Sequence, residues 1–298
     1  MRADAGTLAP REQAADAPER SAAHPLMVPF TRAVGAHWIG ARDGSVELCL
    51  PYARLVRDAG SGGIDDRAIM ALLDHACGAA VYASLTRPAP IATLDLRVAF
   101  QRPAPAATDI VVTAHTSHVT TTAAFVSASA HAGAGAALAT ASATFIIGAA
   151  PGGERDADVE EPWKPAREFD VGNVASLDSF EEFLGLVRDG PYLHMPFADR
   201  LIGAVMLPAL HGGAVASLLA SAAHALAATA SERSERLASM SVQYLRAGRA
   251  EATTSSAAFD KRGARSMVIS ASAKQAQGAR EVARAQCVFV LPNDAQSS

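Results

Sequence analysis

Cysteine is scarce in this 298-residue chain, which holds three: Cys49, Cys77 and Cys287. They are odd in number and far apart, which excludes a disulfide framework and the paired spacing of a zinc site. They read as buried thiols in a reducing compartment, and no metal is expected. Aromatic residues make up 5% of the chain, so a core has to come mainly from aliphatic side chains and alanine. Neither sign of charge dominates: 26 basic residues face 30 acidic ones. With a pI near 6.1 the chain has no broad field for nucleic acid. Long apolar runs are missing too, apart from Leu210–Ala230, which is mostly alanine and includes His211, His224 and several serines. That composition argues against a membrane span, and the positive mean hydropathy of +0.14 reflects alanine. Residues 1–25 lack an apolar stretch and read as a disordered tail rather than a signal peptide. A cytoplasmic protein is expected.

What the chain does have is a layout written twice. Pro29-Phe30 through Gly35 resembles Pro196-Phe197 through Gly203; Ala71-Leu72-Leu73 resembles Ser217-Leu218-Leu219; Phe100-Gln101-Arg102 resembles Tyr244-Leu245-Arg246. Internal repeats change the unit of structure. The expected organisation is a tail at 1–25, a first domain at 26–148, a linker at 149–170, a second domain at 171–292 and a tail at 293–298. The Gly-, Pro- and charge-rich Ala149–Phe169 stretch carries the linker assignment.

Each unit reads as one helix followed by long strands. Ala68–Leu85 is helical by spacing, with Ile69, Leu72, Leu73 and Ala76 on one face. Alternation then places Leu94, Leu96, Val98 and Phe100 on one side of a strand, and Thr93, Asp95, Arg97 and Ala99 on the other. Strands follow at Ile110–His115, Ala123–Ala130 and Ala137–Ile147. The second unit repeats the pattern with a helix at Ala214–Ala228 and strands near Ala238–Leu245, Ala252–Phe259, Ser266–Ala273 and Glu281–Leu291. This is an α+β layer, a sheet wrapped on a helix. The first unit also has strand-like runs at His37–Arg42 and Ser45–Pro51. Because the second is so short between Gly203 and His211, it is expected to have lost that pair, replaced by a helical segment at Leu177–Arg188.

The two helix starts differ in chemistry. His211-Gly212-Gly213 stands just before a helix, where backbone N–H groups lack intrahelical partners and the dipole adds positive charge. Glycine there admits a ligand close to the backbone, although a tight turn chosen for geometry alone is the other reading. The first unit has Asp65-Asp66-Arg67 at that place but carries Asp74 inside its helix, where the second unit has Ala220. An aspartate inside an Ala/Leu-rich helix either points to water or has a task. It stands roughly 10 to 12 Å from the start of its own helix, so it has to serve the start of another. Acid and glycine turn then form one site between the two units. The opposite pairing, Ala220 with Asp66 and Arg67, is expected to be inactive.

The H-G-G and L-L-D helices, with Ala92-Thr93-Leu94-Asp95-Leu96 running into Phe100-Gln101-Arg102-Pro103-Ala104, resemble the hotdog-fold acyl-CoA thioesterases of the phenylacetate-pathway (PaaI-like) type. The resemblance covers nearly all of both units and implies a double hotdog in one chain, each unit a long central helix wrapped by an antiparallel sheet. It implies thioester hydrolysis, with Asp74 as base or nucleophile, the Gly212 amide polarising the carbonyl, and Thr93 assisting near the acid. His211 and Gly213 would border the substrate, His211 as a cap on the turn or as a second donor. Many members carry an Asn six residues before the His, where this chain has Val205; one lost donor of this kind is worth about 3 to 4 kcal/mol. The cluster Lys261, Arg262 and Arg265, in a hairpin turn, would meet coenzyme phosphates or be a solvated tip. Arg102 and Arg246 recur at a strand end in both copies. No cofactor is implied, coenzyme A being part of the substrate; the partners are an acyl-CoA and a second copy, as a homodimer of double hotdogs. A non-catalytic acyl-CoA-binding protein and a hotdog hydratase or dehydratase are the alternatives.

Overall fold

The computed structural model describes residues 26–42, 44–148, 167–206, 208–230 and 235–291. The expected tails, and residues 149–166 of the expected linker, lie outside the described residues. The chain runs α1 (Pro29–Ala33), β1 (His37–Arg42), β2 (Ser45–Leu50), α2 (Asp66–Ser84), β3 (Ile91–Phe100), β4 (Ile110–Val119), β5 (Ala123–Ala132) and β6 (Ala139–Ile147). It continues through α3 (Phe180–Leu184), β7 (Val187–Asp189), β8 (Tyr192–Met195), β9 (Ile202–Ala204), β10 (Ala209–Leu210), α4 (Gly212–Ala228), β11 (Arg236–Tyr244), β12 (Thr253–Arg262), β13 (Ser266–Gln275) and β14 (Arg280–Val290). The expected α+β class holds, and both long helices start two residues earlier than their apolar spacing implied.

Twelve strands form one antiparallel sheet, joined at its centre by β3 and β11. Reading outward, the order is β3-β6-β5-β4-β2-β1 on one side and β11-β14-β13-β12-β8-β7 on the other. The two halves therefore carry equivalent strands in the same sequence. Helix α2 lies against β2 to β6, and α4 against β8 and β11 to β14. The core is aliphatic, as the lack of aromatics requires, and alanines such as Ala71, Ala76, Ala80, Ala214, Ala216 and Ala223 let helices and sheet approach closely.

Four expectations are corrected here. The second unit has kept its early strand pair as β7 and β8, a short hairpin at the sheet edge. Of Leu177–Arg188 only Phe180–Leu184 is helical, because Gly185 takes a left-handed conformation (φ 69°) and ends the helix. The landmark Pro196-Phe197 corresponds to Pro51-Tyr52, not to Pro29-Phe30. Each pair follows the inner strand of an edge hairpin, β2 or β8, and leads into a 3-10 turn, Arg54–Val56 or Asp199–Leu201, entered with nearly identical dihedrals at Ala53 (−142°, 158°) and Ala198 (−145°, 147°). Fourth, Leu94 faces out, 41% exposed. A bulge between Thr93 and Asp95 in the pairing with β6 breaks the alternation and turns Thr93 inward instead. Strand β11 has a bulge at the equivalent place, between Leu237 and Ser239.

Candidate active site

Both long helices begin with the same backbone and different chemistry. The residue before α2, Asp65 (φ −59°, ψ 131°), accepts the Arg67 N–H on its carboxylate at 2.8 Å. The residue before α4, His211 (φ −62°, ψ 133°), accepts the Gly213 N–H on Nδ1 at 3.0 Å. Each is a helix N-cap. The helices run antiparallel and nearly touch: a Cβ on Gly213 would stand 2.5 Å from the Cα of Ala71. Farther along, the Ser217 hydroxyl reaches the Arg67 carbonyl at 3.2 Å. This contact carries the Asp74 carboxylate over the start of α4, where a Cβ on Gly212 would fall 2.7 Å from Asp74 Oδ2. A side chain at 212 would have to displace that carboxylate.

Asp74 is buried and receives the Thr93 hydroxyl at 3.3 Å, which the bulge in β3 makes possible. Burial raises its pKa to about 6, while the Gly213 N–H and the Thr93 hydroxyl act in the opposite direction. The Gly213 N–H is bonded to His211 Nδ1 at 3.0 Å, and Asp74 Oδ2 lies beside it, 3.7 Å from that ring nitrogen. No acceptor for the Gly212 N–H exists among the described residues, so this first-turn amide is available to a ligand.

The state of His211 follows from its partners. A backbone N–H only donates, so Nδ1 carries no proton; the single ring proton of neutral imidazole then sits on Nε2, 3.4 Å from His75 Nδ1. Burial, and after it His75, hold the pKa of His211 well below 6.5. The ring is therefore neutral, and its 3.7 Å approach to Asp74 Oδ2 is not an ion pair. Phe30 of α1 stacks on it at 4.4 Å, and Phe183 of α3 meets Phe30 edge-on at 5.4 Å. This is the geometry of a cap held rigidly in place, not of a second carbonyl donor. Val205, in the position of the family's Asn, is buried just beyond β9 and offers no polar group.

The opposite side is built differently. Arg67 Nη1 donates to Ser221 Oγ at 2.8 Å and to Glu181 Oε1 at 2.6 Å, and Nη2 pairs with Asp65 Oδ2 at 2.5 Å. The guanidinium thus ties the start of α2 to Ser221, which stands where the other copy has His75. Asp66, which stands where the other copy has Gly212, is pushed up to about 7, first by burial and then by Asp65.

Lys261, Arg262 and Arg265 are not brought to Asp74. Arg262 donates to the Ala230 carbonyl at 2.7 Å, just past the far end of α4, which at 17 residues extends about 25 Å from Gly212. Arg246 holds the Glu281 carbonyl at 2.9 Å, a strand-end role, and Arg102 is exposed. Sequence reasoning missed His75, Phe30, Phe183 and Tyr244, whose hydroxyl donates to the Gly212 carbonyl at 3.0 Å. The signal for Tyr244 was present: its counterpart in the aligned repeat is Phe100.

Residues 68–139 match the thioesterase superfamily model, and residues 204–290 match the model of the acyl-CoA thioesterase N-terminal domain. No curated protein matches the chain. Among solved structures, a putative thioesterase II from Thermobifida fusca YX has a TM-score of 0.60 at 12% identity, over 89% of this chain and 97% of its own. The 12:0-ACP thioesterase from Umbellularia californica has a TM-score of 0.59 at 12% identity, over 84% and 95%. A tesB protein from Mycobacterium avium subs paratuberculosis has a TM-score of 0.56 at 13% identity, over 85% and 96%. At such identities these structures speak for the fold, and the two family matches speak for the chemistry. The chain carries two thioesterase domains in tandem and is a thioester hydrolase.

Proposed function

We propose that the chain is a PaaI-like double hotdog that hydrolyses acyl-CoA thioesters at one composite site between its two units, residues 26–148 and 171–292. The observation that carries this reading is the buried Asp74 carboxylate of α2 lying over the open amide of Gly212 at the start of α4. The thioester carbonyl oxygen accepts the Gly212 N–H, whose donor strength is raised by the helix dipole and the dry surroundings. Asp74 supplies the negative oxygen that attacks the carbonyl carbon, either directly or through a water it deprotonates. The C–S bond breaks, the thiolate of coenzyme A leaves, and water completes the carboxylic acid. Thr93 orients the carboxylate, and His211 and Gly213 shape the turn. The acyl-CoA thioesterase match over residues 204–290 supports the coenzyme.

The reading places one working centre in each chain. Two chains associate through outer sheet faces, where Leu94 and Phe125 are exposed. Three buried free thiols fit a reducing, cytoplasmic setting. The test is thiol release from a panel of short, long and aromatic acyl-CoAs by wild type and Asp74→Asn. Turnover is expected to fall at least about a hundredfold on losing the acid, with the fold intact by circular dichroism. Full activity in that variant would overturn the assignment.

A further inference from the structure

Of the two copies, only the one that keeps the glycine turn has a hydroxyl beneath it. Tyr244 and Phe100 end the equivalent central strands β11 and β3. The Tyr244 hydroxyl donates to the Gly212 carbonyl at 3.0 Å, while phenylalanine in the other copy has nothing to donate. The carbonyl of Gly212 and the N–H of Gly213 belong to one planar peptide unit. A donor on its oxygen therefore restrains the direction of its N–H and polarises it, as hydrogen bonds in series strengthen one another. That N–H is bonded to His211 Nδ1 at 3.0 Å, and the same peptide lies against Asp74, whose Oδ2 is 3.7 Å from that nitrogen and would be 2.7 Å from a Cβ on Gly212.

We propose that Tyr244 is a positioning residue for the hydrolytic site, acting on the orientation and strength of the Gly212–Gly213 peptide that lies beside Asp74. It touches neither substrate nor reacting atoms in this role. The inference rests on the reading of Asp74 as the acid. The titratable groups around that carboxylate are His211 from the cap of α4, Cys77 from its own helix and Tyr244 from β11, with Thr93 coming from β3. Burial keeps His211 neutral and pushes both Cys77 and Tyr244 upward, with Asp74 adding to each rise. None of the three changes charge near pH 6, and His75, which meets the far nitrogen of His211 at 3.4 Å, is common to wild type and variants, so a shift of the acidic limb between them reports on the link from Tyr244 to Asp74.

Tyr244→Phe tests this, since Phe100 indicates that the fold accepts phenylalanine at the equivalent position. Losing the hydroxyl weakens the Gly213 donor and so favours the protonated acid. The acidic limb of kcat against pH is expected to move up by about half a unit, with kcat falling about threefold to tenfold and KM changing less than twofold. Replacing Tyr244 by 3-fluorotyrosine, a stronger donor, is expected to move the limb down. A wild-type limb and kcat in both variants would overturn the inference, as would a change confined to thermal stability. Asp74→Asn separates the two claims. If that variant stays active, the acid assignment itself fails; if it is inactive while Tyr244→Phe matches wild type, only the role of Tyr244 fails.

Discussion

Asp74 ionises near pH 6 because burial opposes its charge more strongly than the Gly213 amide and the Thr93 hydroxyl favour it. A hydrolase that needs the carboxylate is therefore expected to lose kcat as pH falls through about 6, a limb visible in a rate profile measured between pH 4.5 and 8 at about half-unit steps. Gly212→Ala is expected to remove activity about as completely as loss of the acid, since its methyl group would fall 2.7 Å from Asp74 Oδ2; thiol release by a folded variant checks it. Asp66 gives a stability prediction. Its carboxyl rises from 3.8 to about 7, so below about pH 4 it is protonated whether the chain is folded or unfolded. Between about 4 and 7 only the folded state keeps the proton, and the stability it contributes falls as pH rises through that window. Asp66→Asn is expected to melt above wild type at pH 8, by up to about 4 kcal/mol at about 1.4 kcal/mol per unit, and to match it below pH 4. An equal gain at both pH values would contradict this origin.

Among the elements, the helices and long strands were legible because their apolar residues recur at the helical or two-residue period over many turns. The short edge hairpin was not. Strands β7 and β8 cover three and four residues around Gly190-Pro191, too few for a period to emerge, and so the repeat was aligned one landmark out of step. The inward turn of Thr93 was hidden for a different reason: a bulge in the ladder with β6 is set by pairing, not by any residue type. On the silent side, Arg67 ties the start of α2 to α4 through Ser221 and to α3 through Glu181. Its guanidinium is mostly buried with Asp65, while Glu181 is largely exposed. Arg67→Ala leaves the buried Asp65 without its partner and is expected to cost about 3 kcal/mol in a denaturation experiment. Acyl-CoA hydrolysis should persist, because the tie lies about two helical turns from Asp74. Loss of turnover in a folded Arg67→Ala protein would mean that the two sides are coupled.

At the scale of the whole molecule, the asymmetry between the copies was legible in full: an acid in one helix, a glycine turn before the other, and neither counterpart in its partner. What sequence could not supply was the helix contact that joins them. The approach of Gly213 to Ala71 and of Asp74 to Gly212 depends on how two amphipathic helices cross on a common sheet. Nor could it foresee that on the opposite side an internal arginine would join Asp65, Ser221 and Glu181. The distance of the Lys261–Arg265 turn from the start of α4 was not legible either, since a hairpin tip reveals it only after the strands are assembled. The account stands on one centre per chain. Calorimetric titration of the protein with a non-hydrolysable thioether analogue of an acyl-CoA substrate tests this most directly. The account predicts one analogue bound per chain; two equivalent analogues per chain would contradict it.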